Sequence, residues 1–168
     1  MTMTTTDLTT ASVPELTAHI RETHHEYLRK LLPRLQFLVN KIRDVHGGHH
    51  PELAEVATIF NAFVQEMSEH IDQEEELFFP KCEELAAGGS DELKAFVREK
   101  IAHHTAKHES LANAFVEMRR LSKDFAVPED GCSTYQMTYE KLVELETDTQ
   151  QHLSKENDLL IGRMKALV

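Results

Sequence analysis

Residues 56–77 read VATIFNAFVQEMSEHIDQEEEL, and their apolar side chains step by threes and fours through Val56, Phe60, Phe63 and Met67. That spacing makes one face of an α-helix. The next steps on the same face reach His70 and Glu74 before returning to Leu77. An inward face that carries an imidazole and a carboxylate needs a common partner in the interior, because burying either group unpaired costs several kcal/mol.

The segments on either side follow the same plan. Breakers fall at His46-Gly47-Gly48, at Gly88-Gly89 and at Pro128-Glu129-Asp130-Gly131, between long stretches rich in Leu, Glu, Ala, Lys and Met. Four helices are expected: Pro14 to His46 behind a Ser12 cap, Pro51 to about Ala87, Ser90 to about Phe125, and Ser133 to about Leu167. Connections this short make neighbours antiparallel, which predicts an all-α, up-down-up-down four-helix bundle over residues 14–168. Pro33 and Pro80 should kink or limit their helices. Residues 1–13, Thr-rich and without a basic start or apolar core, read as a disordered tail with no secretion signal.

Composition narrows the functional classes. Lys and Arg number 18 against 29 Asp and Glu, a net charge of −11 that disfavours nucleic acid and anionic membranes as partners. No apolar run approaches the roughly 20 residues of a membrane span. Cys82 and Cys132 are too few for a disulfide framework, sit at opposite ends of the expected bundle, and suit a reducing, cytoplasmic setting. The chain holds 11 His, which is where the chemistry concentrates.

The other helices repeat the pattern of residues 56–77. Helix 1 gives His25, Leu28, Leu32, Leu35, Val39, Ile42 and His46; helix 3 gives Val97, Ile101, His104, His108, Leu111, Phe115 and Met118; helix 4 gives Tyr135, Thr138, Leu142, Leu145, Thr149, His152, Glu156 and Leu159. The polar intruders are nearly all His and Glu. From the first turn, His25 lies about 21 residues back and His70 with Glu74 about 20 to 24 forward, at about 1.5 Å per residue. Similar counting across the other turns brings His104, His108, His152 and Glu156 to that level. His46, roughly 31 Å from His25 along a straight helix, belongs beside a turn.

Seven donors at one depth predict a metal centre, since residues four apart share a helix face and hold one site together. Imidazole and carboxylate without thiolate suit iron, manganese or zinc. With two six-coordinate ions and both glutamates bridging, five imidazoles supply five bonds, two carboxylates four, and an oxo or hydroxo bridge two. That fills about eleven of twelve positions, leaving room for a small ligand such as O2, NO or peroxide. His104 is open at this point between ligand and packed core histidine. His24 lies off the seam, Glu75, Glu76, Glu83 and Glu84 read as a solvated face, and Glu66 and Asp148 are candidates to hold the rings of His70 and His152. His46, His49 and His50 read as a solvated helix end.

His25-Glu-Tyr-Leu-Arg-Lys-Leu-Leu-Pro33, Val45-His46-Gly, His70-Ile-Asp-Gln-Glu74-Glu-Glu-Leu-Phe-Phe-Pro80, His108-Glu109, Pro128 to Cys132 and His152-Leu-Ser-Lys-Glu156-Asn157 together resemble the hemerythrin-like family of His-His-Glu cation-binding domains. The likeness is to its repair-of-iron-centres branch above all, over about residues 15 to 163. The resemblance implies two iron ions, oxo- or hydroxo-bridged, with His25, His70, His108 and His152 as terminal ligands and Glu74 and Glu156 as bridges. It implies a cytoplasmic role in recovery from nitrosative and oxidative damage, with NO as ligand and damaged iron-sulfur proteins as partners. The added His104 is similar to oxygen-binding hemerythrins, whose five His and two carboxylates leave one open site, so reversible O2 carriage or sensing is the alternative.

Overall fold

The computed structural model describes residues 5–168, with side chains from Leu8 onward. Among the described residues there are helices and turns and no strand. Helices α1 (Thr5–Thr10) and α2 (Val13–Ile20) lead into α3 (Glu26–His46) and α4 (Glu52–Gln73); α5 (Phe79–Ala86), α6 (Asp91–Ser122), α7 (Ser133–Ser154) and α8 (Gly162–Leu167) complete the order. The short helices are continuations of the long ones, joined through π-helical turns at Arg21–His25, Glu74–Phe78 and Lys155–Ile161. Four rods result. Helix α3 packs on α4 and α7, and α6 packs on α4 and α7, closing the antiparallel bundle.

Local signals explain the rod ends. Ser12 accepts a hydrogen bond from the Glu15 amide while the Glu15 carboxylate accepts from the Ser12 amide at 2.7 Å, a reciprocal cap that starts α2. Ser90 caps α6 through the Leu93 amide. Helix α6 stops at Ser122, three residues short of expectation, because Lys123, Asp124 and Phe125 all turn left-handed, with φ of 53°, 61° and 58°.

Two apolar clusters fill the bundle. One, with Leu28, Leu35, Phe60, Phe63, Met67, Leu111, Phe115, Leu142 and Leu145, runs toward the His46 end. The other, with Leu16, Ile20, Phe78, Phe79, Cys82, Val97, Ile101, Leu160 and Met164, closes the opposite end. His25, His70, Glu74, His104, His108, His152 and Glu156 are buried in the layer between them.

The π turns account for the departures from a regular seam. Each π turn takes in an extra residue, so the inward face advances by one position. Leu77, expected inside, is 42% exposed, while Phe78 and Phe79 are buried. In the fourth rod Leu160 is buried where Leu159 was expected, and Leu159 only packs against the cluster edge. In the first rod both His24 and His25 turn inward. Pro80 has no N–H to give the carbonyl one turn back, and the π turn, closed by the Phe79 amide on the Glu74 carbonyl, lies just before it.

The expected disordered tail over residues 1–13 is corrected over its described part. Leu8 is buried in the second cluster, and Arg163 donates to the carbonyls of Leu8 at 2.8 Å, Thr9 at 3.0 Å and Ala11. Thr-rich composition hides that anchor, because the partner is an arginine about 150 residues away. Residues 1–4 of the expected tail lie outside the described residues. No described helix is long and apolar enough to cross a membrane.

Candidate metal centre

Each rod delivers its donors from the turn where its regular helix gives way or from the middle of a long helix. His25 closes the first π turn, His70 and Glu74 flank the start of the second, His152 and Glu156 flank the start of the third, and α6 supplies His104 and His108. The structure places all seven predicted residues in one buried layer.

The donors divide into two sets that share their carboxylates. His25, His152, Glu74 and Glu156 form one group able to hold a metal ion, and His70, His108, Glu74 and Glu156 form the other. The two glutamates each direct one oxygen to either side. Glu74 Oε2 lies 3.4 Å from His25 Nε2, and Glu74 Oε1 lies 3.0 Å from His70 Nε2 and 3.4 Å from His104 Nε2. Glu156 Oε1 lies 2.8 Å from His152 Nε2, and Glu156 Oε2 lies 3.1 Å from His108 Nε2. His104 sits beside the second group, with its ring stacked on Phe78 at 3.9 Å.

Spacing within each set fits a metal. His25 Nε2 and His152 Nε2 are 3.1 Å apart, as are His70 Nε2 and His108 Nε2. Two donors at right angles on one ion, each at about 2.1 Å, stand about 3.0 Å apart. Both oxygens of Glu74, Oε2 of Glu156 and Nε2 of His104 are buried without a hydrogen-bond partner among the described residues. Buried polar atoms are rarely left so. A cation at each set would satisfy them, so the residues present fit a pair of bound metal ions.

The rings are held from behind. His25 Nδ1 lies 2.8 Å from Glu75 Oε1, and His108 Nδ1 lies 2.8 Å from Asn157 Oδ1. His104 Nδ1 faces the Lys100 carbonyl at 3.2 Å. Such contacts place the proton on Nδ1 and aim the Nε2 lone pair inward. Arg29 fixes Glu75 at 3.2 Å and Asp72 at 2.7 Å. His25 also stacks on Phe79.

Several sequence expectations shift here. Glu75, expected only to face solvent, is half-buried and is the partner of His25. Glu66 accepts from Ser110 at 3.0 Å and not from His70. Asp148 accepts from His24 at 2.9 Å, while its Oδ2 and His152 Nδ1, on the same helix, are both buried without a partner among the described residues. His24 is buried, stacks on His152 at 5.2 Å and meets Lys155 at 2.8 Å. Asn157 follows Glu156 directly, and that adjacency was the available signal for it.

In the metal-free protein the imidazoles and carboxylates of the layer stabilise one another's charged forms. Burial disfavours the charged forms of His25, His70 and His108, but the two carboxylates outweigh it and push these imidazoles up to about 9, about 9 and about 10. Burial and mutual repulsion would raise Glu74 and Glu156, yet the surrounding imidazoles hold both well below the usual carboxylate value.

A bundle with a buried layer of imidazoles and shared carboxylates defines a class of metal-binding helical proteins. The family described as "Hemerythrin HHE cation binding domain" matches residues 16–164, and the chain belongs to it. Among its relatives, the iron-sulfur cluster repair protein ScdA of Staphylococcus haemolyticus is 29% identical over 151 residues, covering 89% of this chain and 66% of that protein. The iron-sulfur cluster repair protein YtfE of Yersinia pseudotuberculosis is 27% identical over 148 residues, covering 88% of this chain and 64% of that protein. The chain thus spans about two thirds of the length of these relatives.

Proposed function

We propose that His25, His70, Glu74, His104, His108, His152 and Glu156 hold two oxo- or hydroxo-bridged iron ions, and that the protein binds or reacts with NO, O2 or peroxide in cytoplasmic defence against nitrosative and oxidative stress, including repair of iron-sulfur clusters. One observation carries this reading: each glutamate presents one oxygen to either imidazole set, the disposition of a bridging ligand. The kinship with iron-sulfur cluster repair proteins supports the physiological part.

Bound iron would supply redox chemistry and an open coordination position for a small ligand. The protein supplies the asymmetry that decides where. The His25 and His152 side offers two imidazoles and the other side three with His104, so a metal held by His25 and His152 would be the one with fewer protein donors. Glu75 holds the His25 ring through Nδ1, and Asn157 holds His108. Phe78 and Phe79 cover the layer and keep bulk water out. Partly exposed Glu75, itself held by Arg29, braces His25 Nδ1 from the surface side.

Placement of His104 Nε2 3.4 Å from Glu74 favours a second reading, reversible O2 binding, carriage or sensing. Anaerobic NO consumption by the reduced, iron-loaded protein tests the choice. Catalytic loss of NO supports the repair reading; a stable oxygenated form that returns O2 unchanged on evacuation replaces it with the carrier.

A further inference from the structure

At the His46 end of the bundle, beyond the apolar cluster that separates it from the ligand layer, two reactive side chains meet from different helices. Cys132 is the residue that caps α7, exposed, with an extended backbone at φ −78° and ψ 171°. His46 ends α3, and its Nε2 lies 3.2 Å from the Cys132 sulfur. Helix ends polarise the pair in the same sense, since the start of α7 favours a thiolate and the end of α3 favours a cation. The pair is braced. The Tyr135 ring meets His46 edge-on at 5.2 Å and His50 at 5.9 Å, and His50 Nε2 is fixed 2.8 Å from Asp130. Beside the sulfur a cavity of about 120 Å³ is lined by Lys41, Ile42, Val45, His46, Cys132 and Thr134. That is room for a molecule of a few heavy atoms.

We propose that Cys132 and His46 act as a thiolate–imidazolium pair that reduces hydrogen peroxide, at a site separate from the metal centre. The sulfur attacks one peroxide oxygen, forming an S–O bond as the O–O bond breaks; the leaving hydroxide takes the proton from His46 Nε2 and departs as water. Sulfur is oxidised to sulfenic acid, peroxide is reduced, and His46 is left neutral. The hydrogen bond from His46, with the amides of Tyr135 and Thr134, brings the Cys132 thiol down to about 7, so about half is thiolate at neutral pH. Cys82 is the built-in contrast: burial pushes it up to about 12. Separation from the iron ligands is large, because His152 lies 20 residues along from Cys132, about 30 Å.

The test follows two reactions of Cys132 in the full chain, iron-loaded and chelator-stripped, by peptide mass spectrometry. Peroxide oxidation, trapped with dimedone, needs a proton for its leaving group; alkylation by iodoacetamide does not. His46→Gln should slow oxidation at least about tenfold, while thiolate loss, offset by higher intrinsic nucleophilicity, changes alkylation only about threefold. Cys82 should remain unlabelled, and iron loading should not change the Cys132 rate. Equal effects of His46→Gln on both reactions, or oxidation that occurs only in iron-loaded protein, would overturn the proposal. Should His46→Gln fail to fold, the folded and urea-unfolded wild-type chains give the same comparison. Folding must then accelerate oxidation more than alkylation, and an equal ratio refutes the pair.

Discussion

Loading the centre with ferrous iron should expel protons, and the number follows from the buried imidazoles. His25, His70 and His108, at about 9, about 9 and about 10, are together about 2.9-fold protonated at pH 7.5 and about 0.7-fold at pH 10. A metal takes the Nε2 lone pairs, so binding releases about three protons per chain at pH 7.5, before any from a bridging water. Overall affinity should accordingly rise steeply between pH 7 and 8.5, by about two to three orders of magnitude per pH unit. The metal-free fold shows the converse. These imidazoles bind protons more tightly folded than unfolded, so their stabilisation is complete below about pH 6.5 and is lost as pH climbs through 9 to 10. Glu74 and Glu156, held low, add stability above about pH 4.5 that disappears as pH falls through their depressed values. Iron-loaded protein escapes the alkaline loss, so the difference in melting temperature between loaded and stripped chains should widen from pH 7 to 9. Calorimetry in buffers of different ionisation enthalpy counts the protons directly. Release of fewer than about one proton at pH 7.5, unchanged at pH 10, would refute the reasoning.

Other perturbations separate the roles of individual donors. Glu74→Ala removes an oxygen from both sets, so bound iron should fall to less than half of wild type by metal analysis; unchanged content would end its assignment as a bridge. His104→Ala should lower iron affinity about tenfold or more if its imidazole ligates, and leave metal content intact if it only packs on Phe78. Glu75→Gln keeps the size of the side chain but removes the carboxylate behind His25, and should weaken iron binding about 10- to 100-fold in a chelator competition while melting of the metal-free chain moves little.

The helix count, the antiparallel order and the inward position of all seven donors were legible because the three-and-four step survives up to the ligand layer. Past that layer it fails by one residue. Leu77 gives way to Phe78, and Leu159 to Leu160, because a π turn follows Glu74 and another surrounds Glu156, and a regular helical count carries no allowance for an extra residue. Pro80 was the one local sign of the first irregularity. His24 was placed off the seam for the same reason, although the turn at Arg21–His25 carries it inside. Glu75 was hidden differently: it stands in a run of three glutamates, and only the approach of His25 from another rod tells it from its exposed neighbour Glu76. Leu8 was likewise unreadable before Arg163 was seen to fasten the chain over it.

The central claim is that shared carboxylates hold two iron ions between the two imidazole sets. Anomalous diffraction at the iron edge from crystals of anaerobically reconstituted protein measures it most directly. Two peaks per chain are expected, one beside His25 and His152 and the other beside His70 and His108, with Glu74 and Glu156 spanning both. A single peak, or iron bound elsewhere while these seven side chains hold only one another, would contradict the account.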